Sequence, residues 1–315
     1  MAEAVAKDAA YYESKGIKYS EDFFTNSRGM KLQTASWLPA NGEPKALILL
    51  LHGYAVDCTT FFASTAERLA SEGYAVFGID YEGHGRSEGL PVYIPQFETI
   101  IDDLVDYISP IRECEEYKNK RKFMMGESMG GAVTLRLHRK EPTAWDGAIL
   151  MAPMCKISDK VKPPAIVTAV MKNLAYLVPT WKIVPTSDII SAANRDPVKR
   201  EKIRASPYTF TDKPRLRTAL TMLQTSEDLE RRLDEVTLPF LLLHGDADTV
   251  TEPAVSQALY EKARSTDKTF KLYPGLWHCL TEGELDENVE IVFKVRTGKG
   301  VKENEGKEEE TTLTK

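Results

Sequence analysis

The pentapeptide Gly126-Glu127-Ser128-Met129-Gly130 sets one hydroxyl between two glycines, directly after the apolar stretch of residues 122–126. That spacing suits a strand-to-helix turn so sharp that the serine stands clear of the backbone, and a Cβ at either flank would clash there. A serine hydroxyl is a weak nucleophile at neutral pH and attacks a carbonyl carbon only where a base takes its proton. Of the five histidines, His278 fits that base, because it ends the glycine-bearing stretch Tyr273-Pro274-Gly275-Leu276-Trp277-His278 after the last strand-like run. His138 falls inside the helix expected after the turn and reads as a helix-surface residue. His52, His84 and His244 precede the acid or end other strands, and fit the chain order serine, acid, histidine poorly.

The acid is expected in Leu243-His244-Gly245-Asp246-Ala247-Asp248, between serine and histidine. Asp248 is the better choice, since the turn after Gly245 needs a few residues before a side chain reaches back, while Asp246 is placed for an Asx-type turn bond. Asp248 would hold the imidazole in one tautomer and stabilise its cation without taking the proton. Acyl transfer also needs donors aimed at the developing oxyanion. Gly53, in Leu51-His52-Gly53-Tyr54, lets backbone N–H groups face the site, and the expected donors are the N–H groups of Tyr54 and Met129. His52 then either orients this loop through a hydrogen bond or simply ends a strand. The spacing from His52 to Asp57 also matches a pattern read as acyltransferase, although the oxyanion loop already accounts for it. The chemistry implied is acyl transfer through Ser128, Asp248 and His278, with Gly53, Gly126 and Gly130 shaping the backbone and with no metal or cofactor.

Such a site needs strand ends gathered along one edge. Short apolar runs at residues 46–52, 75–79, 122–126, 147–151, 239–244 and 269–273 alternate with helix-length patterns at 60–71, 94–111, 129–140 and 253–263. Near-continuous apolar strands separated by helices predict a mostly parallel, doubly wound α/β sheet covered on both faces. An antiparallel hairpin using residues 32–38 is expected before it. From residue 155 to 236 the alternation fails and seven prolines interrupt the chain. This segment is expected to be a helical cap inserted between two core strands, or else a purely structural subdomain. The expected organisation is a flexible N-terminus (1–18), a core (19–154 and 237–295), the cap (155–236), and a charged, disordered tail (296–315).

Composition agrees with one soluble globular unit. The chain has 315 residues, 42% hydrophobic and 28% charged, with a net charge of -6 that offers no basic field for nucleic acid. Cys58, Cys114, Cys155 and Cys279 are far apart and read as reduced thiols in a cytoplasmic protein. No stretch is apolar enough for a secretory signal or a membrane span, so at most peripheral membrane contact is expected.

These residues, with Asp80-Tyr81-Glu82-Gly83-His84-Gly85-Arg86-Ser87 and Ala152-Pro153-Met154-Cys155-Lys156-Ile157, make the chain similar to the plant monoacylglycerol lipases, also labelled lysophospholipases. Caffeoylshikimate esterase belongs to the same group. The resemblance runs from about residue 19 to 293 and implies the α/β-hydrolase fold. It also implies Ser128, Asp248 and His278 as a triad with Tyr54 and Met129 as oxyanion donors, no cofactor or metal, and a mobile cap that admits an acyl chain or an aromatic acyl group. The implied substrate is a small ester: monoacylglycerol first, ahead of lysophosphatidylcholine for want of a visible cationic cluster, with a caffeoyl ester or acyl transfer to an alcohol as alternatives. One departure stands out. Relatives continue beyond Phe293 into a further amphipathic helix, where this chain turns charged and polar.

Overall fold

Eight strands form one sheet in the computed structural model, which describes residues 9–156, 165–185 and 188–294. They are β1 (Ile17–Thr25), β2 (Lys31–Pro39), β3 (Ala46–Leu51), β4 (Ala75–Ile79), β5 (Arg121–Glu127), β6 (Gly147–Met151), β7 (Phe240–Gly245) and β8 (Lys268–Tyr273). Their spatial order is β1-β2-β4-β3-β5-β6-β7-β8. Strands β3 to β8 pair in parallel, whereas β1 and β2 form the antiparallel hairpin and β2 joins β4 antiparallel. All six residues of β3, and all of β4 and β7, are buried, as strands covered on both faces must be.

Helices α1 (Ala9–Ser14), α2 (Ala63–Ser71), α3 (Glu98–Glu113) and α4 (Met129–Lys140) precede β6; α5 (Ala165–Leu177), α6 (Ile189–Ala193), α7 (Pro197–Ala205) and α8 (Leu216–Arg231) lie between β6 and β7; α9 (Pro253–Lys262) and α10 (Asp286–Phe293) follow. The chain leaves β3 towards β4 on one side, then crosses to β5 on the other. The strand order therefore reverses between β3 and β5, and a crevice opens beyond their carboxyl ends. The loop carrying Gly53 and the turn carrying Ser128 both emerge there.

Two large apolar clusters cover the sheet's two faces, one around Leu47, Leu49, Met124 and Leu150, the other around Trp37, Ile48, Leu50 and Phe62. The insertion has a small cluster of its own, Ala175 with Leu216, Leu220 and Leu223. Helix α8 belongs to both units: its later Leu229 joins the main core, and Arg136 and Arg139 of α4 both pair with its Asp228.

The N-terminal boundary expected at residue 18 lies earlier. Tyr12 of α1 is buried, and a row of ring contacts from Tyr11 through Tyr12 and Tyr19 to Trp37 fastens this segment to the hairpin. At the other end α10 seats Val292 in the core and places Phe293 under the Arg68 guanidinium at 4.2 Å. The tail beyond residue 295 and the start of the expected cap, residues 157–164, lie outside the described residues.

Candidate active site

Ser128 sits between β5 and α4 with φ 56° and ψ −117°, a conformation an L residue adopts only when its surroundings impose it. The two glycines of the pentapeptide make room for it. A Cβ at Gly130 would lie 1.9 Å from the Leu51 carbonyl oxygen, and one at Gly126 would lie 2.4 Å from both the Gly130 oxygen and Thr134 Oγ1. Helix α4 can therefore rise against β3 only if both positions lack side chains. The Ser128 N–H donates to Met151 O at 3.0 Å and its carbonyl accepts from Met154 N at 2.9 Å, which fixes the turn to the end of β6.

Gly53 follows β3 beside this turn. A Cβ there would approach Ser128 Cβ at 3.6 Å, an ordinary contact, so close approach does not demand glycine at this position. The left-handed residue of the loop is Ala55, with φ 67°. What orients the loop is His52. Its Nε2 accepts the Tyr81 N–H at 3.2 Å, so its Nδ1 carries the proton and donates to Gly53 O at 2.8 Å. In a trans peptide the N–H points opposite to the carbonyl. Drawing Gly53 O towards His52 thus turns the Tyr54 N–H the other way. Burial lowers the His52 pKa to about 4, which keeps this neutral tautomer through neutral pH. Met129 is the first residue of α4, and its N–H belongs to the set of helix-start donors that no intrahelical carbonyl can satisfy.

Asp57, separated from His52 by four residues in the acyltransferase-like spacing, does not meet it. Its Oδ1 accepts from Thr59 N, Thr59 Oγ1 and Thr60 N at 2.6–2.9 Å, so it builds a turn.

On the far side of β6, His278 Nδ1 donates to Asp248 Oδ2 at 2.7 Å, and both side chains are buried. Asp248 also receives His244 Nε2 at 3.0 Å and the Thr251 hydroxyl at 2.9 Å on Oδ2, and the N–H groups of Val250 and Thr251 on Oδ1. Burial alone would raise its pKa; the hydrogen bonds from His244 and His278 outweigh it and hold the carboxylate well below the usual range. The expected Asx-type bonding therefore belongs to Asp248 itself. Asp246 instead accepts Gly275 N at 2.6 Å, tying the acid loop to the histidine loop.

His244 and Thr251 are the residues that reading the sequence overlooked. His244 accepts the Ser256 hydroxyl through Nδ1 at 2.7 Å, which leaves the Nε2 proton for Asp248. Its spacing of four residues from Asp248 was the available signal. Thr251 Oγ1 also lies 3.1 Å from Ala152 O and 3.2 Å from His278 Nδ1. Since Ala152 follows Met151, the acceptor of the Ser128 N–H, Thr251 links the two halves of the site. His138 also departs from its expected place on a helix surface: it is buried, and Thr237 N donates to its Nε2 at 3.3 Å. Among the described residues no group of three or more potential metal ligands gathers, and all four cysteines are free.

The arrangement offers an upright hydroxyl, an imidazole backed by a charged acid, and backbone donors at the crevice, which is the equipment of acyl transfer. A family profile described as serine aminopeptidase, S33 (Hydrolase_4) matches residues 42–286. The chain belongs to this family. It is 38% identical over 285 residues to caffeoylshikimate esterase of Arabidopsis thaliana, covering 90% of this chain and 86% of that protein. To monoglyceride lipase of Mus musculus it is 28% identical over 255 residues, covering 81% and 82%. Among solved structures, a soluble variant of monoglyceride lipase from Saccharomyces cerevisiae in complex with a substrate analog matches with a TM-score of 0.76 at 23% identity, covering 86% of this chain and 91% of that one. The fold is the α/β-hydrolase fold and the protein is an esterase-type serine hydrolase. No helix among the described residues is long and apolar enough to cross a membrane.

Proposed function

We propose that this enzyme hydrolyses carboxylic monoesters through an acyl-enzyme on Ser128. His278 takes the Ser128 proton as the oxygen attacks the ester carbonyl; the Tyr54 and Met129 N–H groups receive the oxyanion; His278 then returns the proton to the departing alcohol. Water repeats the sequence on the acyl-enzyme. The observation that carries this reading is the 2.7 Å bond from His278 Nδ1 to Asp248 Oδ2, which leaves Nε2 as the ring's proton acceptor. Because His52 and Asp57 are both occupied elsewhere, the acyltransferase-like spacing adds no second catalytic pair.

For the substrate, the 38% identity to a caffeoylshikimate esterase, against 28% to a monoglyceride lipase, favours a hydroxycinnamoyl ester over the monoacylglycerol expected from sequence. A monoacylglycerol stays the second reading, supported by the apolar side chains of the insertion. Val170, Leu174, Leu177 and Trp181 are exposed, and they support a role for this segment as a cap that meets apolar acyl groups or a membrane surface.

The deciding experiment compares kcat/KM for caffeoylshikimate, monoacylglycerols of increasing chain length and lysophosphatidylcholine below micelle formation. Caffeoylshikimate is expected at least about tenfold above any monoacylglycerol. A rate rising about fourfold per added CH₂, with the longest monoacylglycerols on top, would return the lipase reading, since each buried methylene is worth about 0.8 kcal/mol.

A further inference from the structure

Two arginines are buried among the described residues, and their surroundings differ. Arg112 meets Glu141 through two parallel hydrogen bonds of 2.8 and 3.1 Å. Arg215, 8% exposed at the start of α8, meets no carboxylate among the described residues. Its Nε donates to Pro91 O at 3.0 Å and its Nη1 to Thr180 O at 2.9 Å. A guanidinium carries five N–H donors, and Nη2 meets no acceptor among the described residues. A buried cation without a counter-charge is costly unless something supplies one.

The neighbour that matters is Tyr54. Its backbone follows Gly53 beside Ser128, and its ring packs edge-on to His84 with centroids 6.0 Å apart. Its hydroxyl is buried and has no hydrogen-bond partner. Burial drives the phenol's pKa up, and the charge of Arg215 opposes the rise while that of Asp212 adds to it. Asp212 itself is taken by Lys182 Nζ at 2.6 Å and is exposed, so it does not neutralise Arg215. The stretch leading into Arg215 lies on the oxyanion loop: Phe210 N donates to Ala55 O at 2.9 Å, and Ser206 Oγ lies 3.3 Å from Thr60 Oγ1.

We infer that Arg215 and the Tyr54 hydroxyl form a carboxylate-recognition corner beside the oxyanion loop, which selects esters of hydroxy acids over esters of neutral alcohols. A guanidinium nitrogen and a phenol hydroxyl can each donate to a carboxylate oxygen, and the ligand's charge would supply what Arg112 receives from Glu141. A glycerol hydroxyl cannot do so. The inference rests on the ester-hydrolase reading above and names the alcohol half of its substrate.

The test uses caffeoylshikimate and its shikimate methyl ester, which share the scissile bond and differ in one charge. Wild type is expected to favour the free acid by about 10–100-fold in kcat/KM, the range a charge-assisted contact gives. In Arg215→Gln this preference disappears while the methyl-ester rate stays within about threefold. In Tyr54→Phe, which keeps the ring and the backbone N–H, the preference falls without vanishing. Should Arg215→Gln fail to fold, because the residue straps Pro91 to Thr180, Tyr54→Phe carries the test. Stabilisation of wild type against heat by shikimate but not by methyl shikimate reads the same recognition without turnover. Equal kcat/KM for acid and methyl ester, or equal stabilisation by the two alcohols, overturns the proposal. Absence of p-nitrophenyl butyrate hydrolysis by wild type would instead point to failure of the esterase reading, and the binding measurement would still decide the role of Arg215.

Discussion

Asp246 and Asp248 are the same side chain two positions apart, and their hydrogen bonds divide the work. Asp248 holds the His278 tautomer, so Asp248→Asn is expected to lower kcat on the order of ten-thousandfold, as removal of the acid does in serine proteases. Asp246 fastens Gly275, and Asp246→Asn keeps an oxygen able to accept that bond. Its expected loss is under about tenfold, and a steady-state comparison of the two folded variants in which Asp246→Asn is the worse would reverse the assignment. Glu127 makes a different prediction. It is buried just before Ser128, with one carboxylate oxygen lacking any partner. Burial raises its pKa from 4.5 to about 8, opposed by a contact with Cys279 and reinforced by Glu282 and Asp248. Between those values the folded protein holds a proton that the unfolded chain has released, so Glu127 makes stability fall as pH rises. Glu127→Gln removes that dependence. Denaturant unfolding should show the variant gaining on wild type by up to about 1.4 kcal/mol per pH unit from about pH 5 to about pH 8; parallel profiles would mean that Glu127 is already ionised in the fold.

At the scale of elements, the elbow is a packing problem between β3, β5 and α4. Gly130→Ala sets a Cβ against the backbone of Leu51, which neither strand nor helix can yield cheaply. A loss of roughly 3 kcal/mol in stability is expected, with activity down about a hundredfold from the displaced turn. Gly53→Ala meets only ordinary contacts and should cost under about 1 kcal/mol. Unfolding midpoints of the two variants check the contrast, and equal destabilisation would contradict it. The sequence announced Gly126 and Gly130 for this reason, through the elbow spacing, whereas the contacts around Gly53 leave room for a side chain. The central strands were legible because burial on both faces leaves near-continuous apolar runs. Strand β1 was not, because it lies at the sheet's edge with most of its side chains exposed, and KYSEDFF reads as polar. The role of Thr251 was beyond reach because it depends on how the loop after β7 folds back over Ala152.

The whole molecule works by bringing distant parts of the chain to one crevice. The oxyanion loop follows β3, Ser128 follows β5, Asp248 follows β7 and His278 follows β8, so the reversal of strand order between β3 and β5 fixes where they meet. The insertion between β6 and β7 leaves the sheet uninterrupted and is fastened to it by α8, whose Asp228 pairs with Arg136 and Arg139 of α4. The mechanism depends on Ser128 Oγ being the atom that is acylated. Its most direct test is the hydrolysis rate of Ser128→Ala, purified and shown to be folded, on the best ester of the panel. The expected result is a loss in kcat of roughly a millionfold, as triad deletions give elsewhere; a folded variant that keeps more than about a hundredth of the wild-type rate would contradict the assignment of Ser128 as nucleophile.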